Sequence, residues 1–365
     1  MAIKQNFAGW SNALYTGTRS YDIIGKRKRT YIASGAAVVL CILLIVLRGG
    51  FNLGIDFKGG VEFTISGVSS TAQDPAITAV QSVVPDEAPR VATVGNQAVR
   101  VQTATISETE QTEVQKALAK AYNVDTAEVS KSFIGPTWGS DVSKKALQGM
   151  VGFMVLVAAV MVVYFRSWRL AASAIISLVH DLVITAGVYA LVGWEVTPAT
   201  VIGFLTIAAY SVYDKVVVFD KIRENTDDLF DQTKSTYAER ANLAVNQTLV
   251  RSINTSVLGL LPVSSILFIG AFILGAGTLR DLALALFVGM AVGAYSSIFL
   301  APPIDVTLRR NDKRVGAHTE RVVELRQRIE EGGDATVDEL VEVGGKKLIP
   351  GHHLGSAAQP KRRKR

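Results

Sequence analysis

Asp214 and Lys215 interrupt an apolar run, with PATVIGFLTIAAYSVY before them and VVVF after them. An Asp at the centre of a bilayer-spanning helix costs roughly 2.5–3.5 kcal/mol on insertion scales, and such a residue normally faces a partner or a water-filled cavity. Thr206, Tyr210 and Asp214 recur at i, i+4 and i+8, which sets them in one polar stripe along a helix. Gln247, Arg251 and Thr255 repeat that spacing downstream, with Asn254 alongside. If the two helices return antiparallel, Asp214 and Arg251 lie at similar depth. A buried carboxylate is neutral when desolvated and ionised when a guanidinium approaches, so it can load a proton on one side and release it on the other. One charge falling through 100 mV yields about 2.3 kcal/mol, enough to drive a conformational step. The expected chemistry is therefore a proton relay of Asp214 and Arg251. Thr206, Tyr210, Gln247 and Thr255 are candidate supporting groups. His180 and Asp181, adjacent in another apolar stretch, are assigned as readily to a structural ion pair as to the relay. Lys215, about 100° round the helix from Asp214, is expected to snorkel towards the near membrane surface.

The elements that carry these residues follow from hydropathy. Of 365 residues, 49% are hydrophobic. Six apolar stretches, near 32–48, 146–165, 170–193, 198–219, 253–279 and 281–304, approach or exceed the roughly 20 residues that cross a bilayer as a helix. That pattern excludes an ordinary soluble protein. Basic residues orient the spans, because Lys and Arg resist translocation. They crowd the leader (Lys26, Arg27, Lys28 and Arg29), the turn after span two (Arg166 and Arg169) and the loop after span four (Lys221, Arg223, Lys234 and Arg240). Both termini are expected in the cytoplasm of a cell bounded by this plasma membrane. The polar leader lacks the small-residue cleavage site of a signal peptide, so the first span is read as a retained anchor.

Cys41 is the single cysteine, so no disulfide within the chain and no Cys/His metal site is expected. His352 and His353 have no third ligand nearby in sequence. Neither a nucleophile–base pair nor a P-loop is recognisable, which argues against an enzyme. No cofactor is expected.

The chain divides into a cytoplasmic segment (1–31), span one (32–48), an extracytoplasmic α+β domain (49–145), spans two to six (146–304) and a basic, largely disordered tail (305–365). Within the domain, 61–65, 90–94, 98–103 and 124–133 read as strands, and 74–84 and 108–121 as helices, with a turn at Gly95-Asn96. The order β-α-β-β-α-β is that of a ferredoxin-like sandwich. In the tail, 318–331 reads as an amphipathic helix with Val322, Leu325 and Ile329 on one face. The terminal KRRKR reads as a solvated positive segment, with anionic membrane lipid as its alternative partner and RNA a weaker one.

Several motifs together carry a family resemblance. "FNLGIDFKGGVEFTI" (51–65) resembles the glycine signature of the SecD and SecF subunits of the bacterial protein-export machinery. "IGPTWGSDV" (134–142) and "HDLVITAG" (180–187) resemble further motifs of those subunits, and "VVVFDKIREN" and "NQTLVRSINTS" resemble SecF rather than SecD. The resemblance implies a six-span half of the resistance-nodulation-division (RND) type that pairs with a SecD-like subunit. It implies service to the SecYEG channel, with a YajC-like accessory subunit, SecA acting indirectly, and an unfolded preprotein as substrate. It also implies that Asp214 and Arg251 match the family's proton-responsive pair. Gly54, Asp56, Gly59 and Gly60, with Gly135, Pro136 and Gly139, are read as structural: glycines permit the dihedrals of a tight turn into a strand. The family usually reads Asn-Asp and then a small residue where this chain has Tyr213-Asp214-Lys215, which makes Tyr213 a candidate to take the place of the Asn hydrogen bond and leaves the effect of both flanking residues on the relay open. Two competing readings are an RND-type lipid or drug exporter half, which requires an apolar pocket between spans, and a translocon scaffold that moves no protons.

The charge asymmetry fixes a topology that labelling tests. A cysteine at Ser107 is expected to react with an impermeant reagent in intact spheroplasts, and one at Ser235 is not; the reverse pattern overturns the orientation.

Overall fold

The computed structural model describes residues 7–95, 97–273 and 277–331. A short helix α1 (Phe7–Tyr15) precedes α2 (Arg27–Leu47), the first long apolar helix. The chain then forms β1 (Asn52–Leu53), α3 (Ile55–Lys58), β2 (Gly60–Ser66), α4 (Asp74–Val83), β3 (Arg90–Val94), β4 (Ala98–Thr103), α5 (Glu108–Tyr122) and β5 (Val129–Ile134). Long helices follow: α6 (Pro136–Phe165), α7 (Trp168–Val192), then β6 (Glu195–Val196), α8 (Pro198–Thr226) and α9 (Tyr237–Ser265). A π-helical segment, Ile266–Ile273, extends α9, and α10 (Gly277–Phe299), α11 (Ala301–Arg309) and α12 (Lys313–Glu330) complete the described chain.

Among the described residues, six helical segments are long and apolar enough to cross a membrane. Their outward faces carry exposed Leu40, Val46, Val155, Val163 and Leu258, an apolar surface suited to a hydrocarbon surround. Two of these helices start ten or more residues earlier than hydropathy alone predicts. The second begins at Pro136, because Gly135 and Pro136 initiate a helix whose polar first turns stand above the apolar stretch. The fifth begins at Tyr237, where Thr236 and Glu239 form a capping box.

The α+β unit between α2 and α6 has sheet order β3-β4-β2-β5, with every pairing antiparallel. That is the ferredoxin-like arrangement. Val61, Phe63 and Ile65 alternate along β2 and point into one core with Val99, Val101, Val114 and Leu118. The final strand starts at Val129 rather than near 124. Asn123 ends α5 in the left-handed conformation and Asp125 caps a 3-10 turn, so those residues are committed to stopping a helix. Asn96, of the expected Gly95-Asn96 turn, lies outside the described residues, as do His352, His353 and the basic terminus.

The tail helix α12 folds back across the loop between α8 and α9. It buries Val315, His318 and Val322; His318 Nε2 lies 2.7 Å from the Gln232 carbonyl, and Arg326 pairs with Glu239 at 2.7 Å.

The glycine signature performs a docking task. Gly59 and Gly60 turn the chain from α3 into β2 at φ +79° and +145°. A Cβ on Gly139 of α6 would stand 2.8 Å from the Gly59 nitrogen and 2.9 Å from the Phe57 carbonyl oxygen, so α3 can rest on α6 only because Gly139 has none. Gly139→Ala is expected to cost on the order of 1–3 kcal/mol through overpacking against backbone, seen as a lowered unfolding midpoint in detergent. Gly149→Ala, on the same helix with nothing within 4 Å of an added Cβ, is the control and is expected to leave the midpoint unchanged or raise it.

Candidate functional site

Four helices, α7, α8, α9 and α10, enclose the polar centre of the membrane region. Small residues bring α8 and α10 together: an added Cβ at Gly289 would collide with Ile207, and one at Gly293 would lie 3.1 Å from the Ser211 hydroxyl. Backbones that approach this closely let short hydroxyl side chains reach across the interface.

Two buried carboxylates sit on the two sides of α10. Asp214, 5% exposed, accepts a hydrogen bond from Ser252 Oγ of α9 at 3.0 Å and another from Ser297 Oγ of α10. No Lys, Arg or His side chain pairs with Asp214 among the described residues. Asp181, fully buried, has the opposite surroundings. Its Oδ2 accepts from Lys215 Nζ at 2.8 Å, Ser211 Oγ at 2.7 Å and Ser296 Oγ at 2.7 Å, and its Oδ1 lies 3.1 Å from His180 Nδ1. Lys215 Nζ also bonds Ser211 Oγ. One carboxylate is thus held by hydroxyls alone, and the other by a cation.

This geometry corrects several expectations. Lys215 does not snorkel. It has no exposed surface, because Asp181 on α7 offers it a counter-charge at the same depth. Tyr213 is 58% exposed and does not take over an Asn-like hydrogen bond to the carboxylate, since it points to the outside of α8. Asp214 and Arg251 form no ion pair. A one-residue step turns a helix by about 100°, so Ser252 faces Asp214 while Arg251 is exposed in a cleft lined by Ser11, Asn12, Tyr15 and Gln247. Thr206 is exposed and returns its hydroxyl to the Ile202 carbonyl. Tyr210 donates to the Thr255 carbonyl at 3.2 Å, and Gln247 donates to the Tyr15 carbonyl at 3.0 Å. Ser211, Ser252, Ser296 and Ser297 were not among the sequence candidates. The signal was present in the adjacent Ser296-Ser297 pair inside an otherwise apolar span.

A second polar cluster lies above the membrane helices, where β1 pairs in parallel with β6. Glu195 accepts from Gln102 at 3.0 Å and pairs with Arg90 at 3.5 Å, and Gln102 also donates to Glu62 at 2.9 Å. Burial, and after it the carboxylates Glu62 and Glu195, raise the Asp56 carboxyl above its ordinary value. Its contribution to stability is therefore complete below the ordinary carboxylate range and declines as pH rises through the elevated value.

Residues 113–311 match the protein export membrane protein SecD/SecF C-terminal family, and residues 47–67 match the SecD/SecF GG motif. The chain is 41% identical over 350 residues to the protein translocase subunit SecF of Mycobacterium leprae, covering 92% of this chain and 74% of that one. It belongs to the SecF family of protein translocase subunits. The Streptomyces coelicolor SecF is 42% identical over 86% of this chain and 83% of its own. The crystal structure of SecDF, a translocon-associated membrane protein from Thermus thermophilus, superposes with a TM-score of 0.69 at 28% identity, over 80% of this chain and 39% of that one. A SecF-family chain thus spans about two fifths of the SecDF structure, and the six-span RND-type architecture is shared over that part.

The Asp181–Lys215 pair generates a stability prediction. Removing one partner of a buried pair leaves an uncompensated charge and costs roughly 3–5 kcal/mol, whereas replacing both with neutral groups is often tolerated. Lys215→Met is expected to lower the unfolding midpoint sharply, and Asp181→Asn combined with Lys215→Met to recover most of it. Equal loss in single and double variants contradicts the pairing.

Proposed function

We propose that this chain is the SecF half of a proton-driven motor that assists late preprotein translocation and release on the outer face of the plasma membrane. Asp214 carries the proton, with Arg251 as its partner at another stage of the cycle. The observation that carries the reading is the environment of Asp214: a carboxylate buried in a membrane span and held by two serine hydroxyls, with no cation paired to it among the described residues. Hydroxyls serve either protonation state, because they donate to a carboxylate and accept from a carboxylic acid. The Asp181 carboxylate, neutralised by Lys215, is assigned a structural part.

The orientation proposed places the ferredoxin-like domain outside and both termini in the cytoplasm, from the basic residues of the leader and of the loop after α8. A SecD-like chain is the proposed other half. The Thermus thermophilus SecDF chain matches this one over only 36% of its length, so it has room for a second half. The exposed face of α8 and α9 that carries Tyr213 and Arg251 is where such a half would pack. SecYEG and the preprotein are the remaining proposed partners. A YajC-like subunit and an indirect link to SecA accompany them, and no catalytic step belongs to this chain itself.

One feature favours the exporter reading. An apolar cavity of about 650 Å³, lined by Phe51, Met150, Met154, Val179, Tyr189 and Phe204, opens between α6, α7 and α8. Family membership outweighs it, because the relatives are named translocase subunits.

Asp214→Asn keeps the size of the side chain and removes the titration. Reporter preprotein export into vesicles, with and without a proton gradient at matched subunit levels, is expected to fall to the gradient-free rate. Arg251→Met is expected to reduce the increment as well. Full retention of the gradient-dependent increment by Asp214→Asn returns the chain to a scaffold role.

A further inference from the structure

Movement at Asp214 does work only if it leaves the membrane, and one strand pair offers the route. β6 lies between α7 and α8, and β1 lies between α2 and the ferredoxin-like domain. The two pair in parallel, with Asn52 opposite Glu195 and Leu53 opposite Val196. Asn52 Nδ2 donates to the Gly193 carbonyl at 2.6 Å, and the Gly54 amide donates to the Val196 carbonyl at 3.0 Å. The start of the glycine signature is therefore sewn to the residues that lead into α8.

Side chains extend this attachment into the sheet. Glu195 holds Gln102 of β4 at 3.0 Å and Arg90 of β3 at 3.5 Å. Arg90 in turn reaches Asn52 Oδ1 at 3.0 Å, and Gln102 reaches Glu62 of β2 at 2.9 Å. Glu195 thereby ties three strands of the domain to the entrance of one membrane helix. That helix is secured at the same point: Thr197 and Thr200 form a capping box, Pro198 occupies its first turn, and Thr200 Oγ1 bonds the Glu195 carbonyl at 3.4 Å. From Pro198 to Asp214 the helix is unbroken, which at 1.5 Å per residue is a rod of about 24 Å.

We infer that the Glu195 cluster and the β1–β6 pair form a rigid joint that transmits displacement of the Asp214-bearing helix to the ferredoxin-like domain, with Glu195 as the positioning residue. The inference rests on the proton-driven reading above. It requires that the joint stay closed through the cycle, so that helix and sheet move as one body. A joint that released in each cycle would break the ladder hydrogen bonds, the Arg90 pair and the Gln102 bridge together. Of these, Glu195 makes both side-chain contacts to the sheet, so truncating it loosens the joint without touching the buried carboxylates.

The experiment uses the full chain with its partner subunits, in a Cys41→Ala background, and the same gradient-driven export assay. Glu195→Ala is expected to lower the gradient-dependent increment at least fivefold at matched subunit levels, and Glu195→Gln, which still accepts from Gln102, to keep at least half of it. Cysteines at the facing positions Leu53 and Val196 lock the ladder when oxidised. The lock is expected to leave export intact when Glu195 is present and to restore it in Glu195→Ala, with a reductant reversing the rescue. A lock that abolishes the increment, a lock that fails to rescue, or a Glu195→Ala chain with the full increment each overturns the rigid joint while the proton-driven reading stands. A parent chain with no gradient-dependent increment overturns both.

Discussion

Hydrocarbon offers no hydrogen bonds, so every polar group taken into it must find its partner inside the protein. The membrane region of this chain is arranged around that constraint. Asp181 gathers a lysine, a histidine and two serines, and Asp214 two serines. The contributing side chains come from α7, α8, α9 and α10, which fixes how those helices face one another. Packing then follows: the glycines of α10 lie where α8 must come close enough for a serine to reach a carboxylate. The apolar exterior needs no comparable precision, because lipid accepts any greasy surface.

The same constraint separates the two carboxylates chemically. A charge met by an opposite charge at 2.8 Å is neutralised within the protein. A carboxylate met only by hydroxyls has hydrogen bonds but no counter-charge. Adjacent positions on one helix therefore take different partners: Asp214 meets serines of α9 and α10, and Lys215 meets the Asp181 carboxylate of α7. Outside the membrane water relaxes the rule, and the cluster of Glu62, Glu195, Arg90 and Gln102 is held by partly exposed contacts, among them an ion pair at 3.5 Å.

Much of this was legible in the sequence. Runs of apolar residues gave the spans, and turn signals with alternating valines gave the order of the ferredoxin-like sheet. Asp214 stood out because a carboxylate in a greasy helix has few ordinary explanations. Facing was less legible. Arg251 and Ser252 differ by one position, and a charge looks the more natural partner for a carboxylate, yet the serine turns inward. Which of two neighbours faces the core depends on the rotation of the whole helix, and the side chains of other helices set that rotation. Lys215 was misread because its partner lies 34 residues away, and matching depth across helices is a tertiary fact. The link from Glu195 to the sheet was invisible for a similar reason: two-residue strands carry no periodicity.

Ser296 and Ser297 are consecutive on α10, and each is committed to a different carboxylate, one on α7 and one on α8. Neighbouring side chains on a helix diverge by about 100°, so α10 works as a yoke with two arms. Turning it far enough to slacken one arm drags on the other. A turn of α10 that disturbs Asp214 therefore also pulls at Asp181, a carboxylate that α8 already holds directly through Lys215 and Ser211.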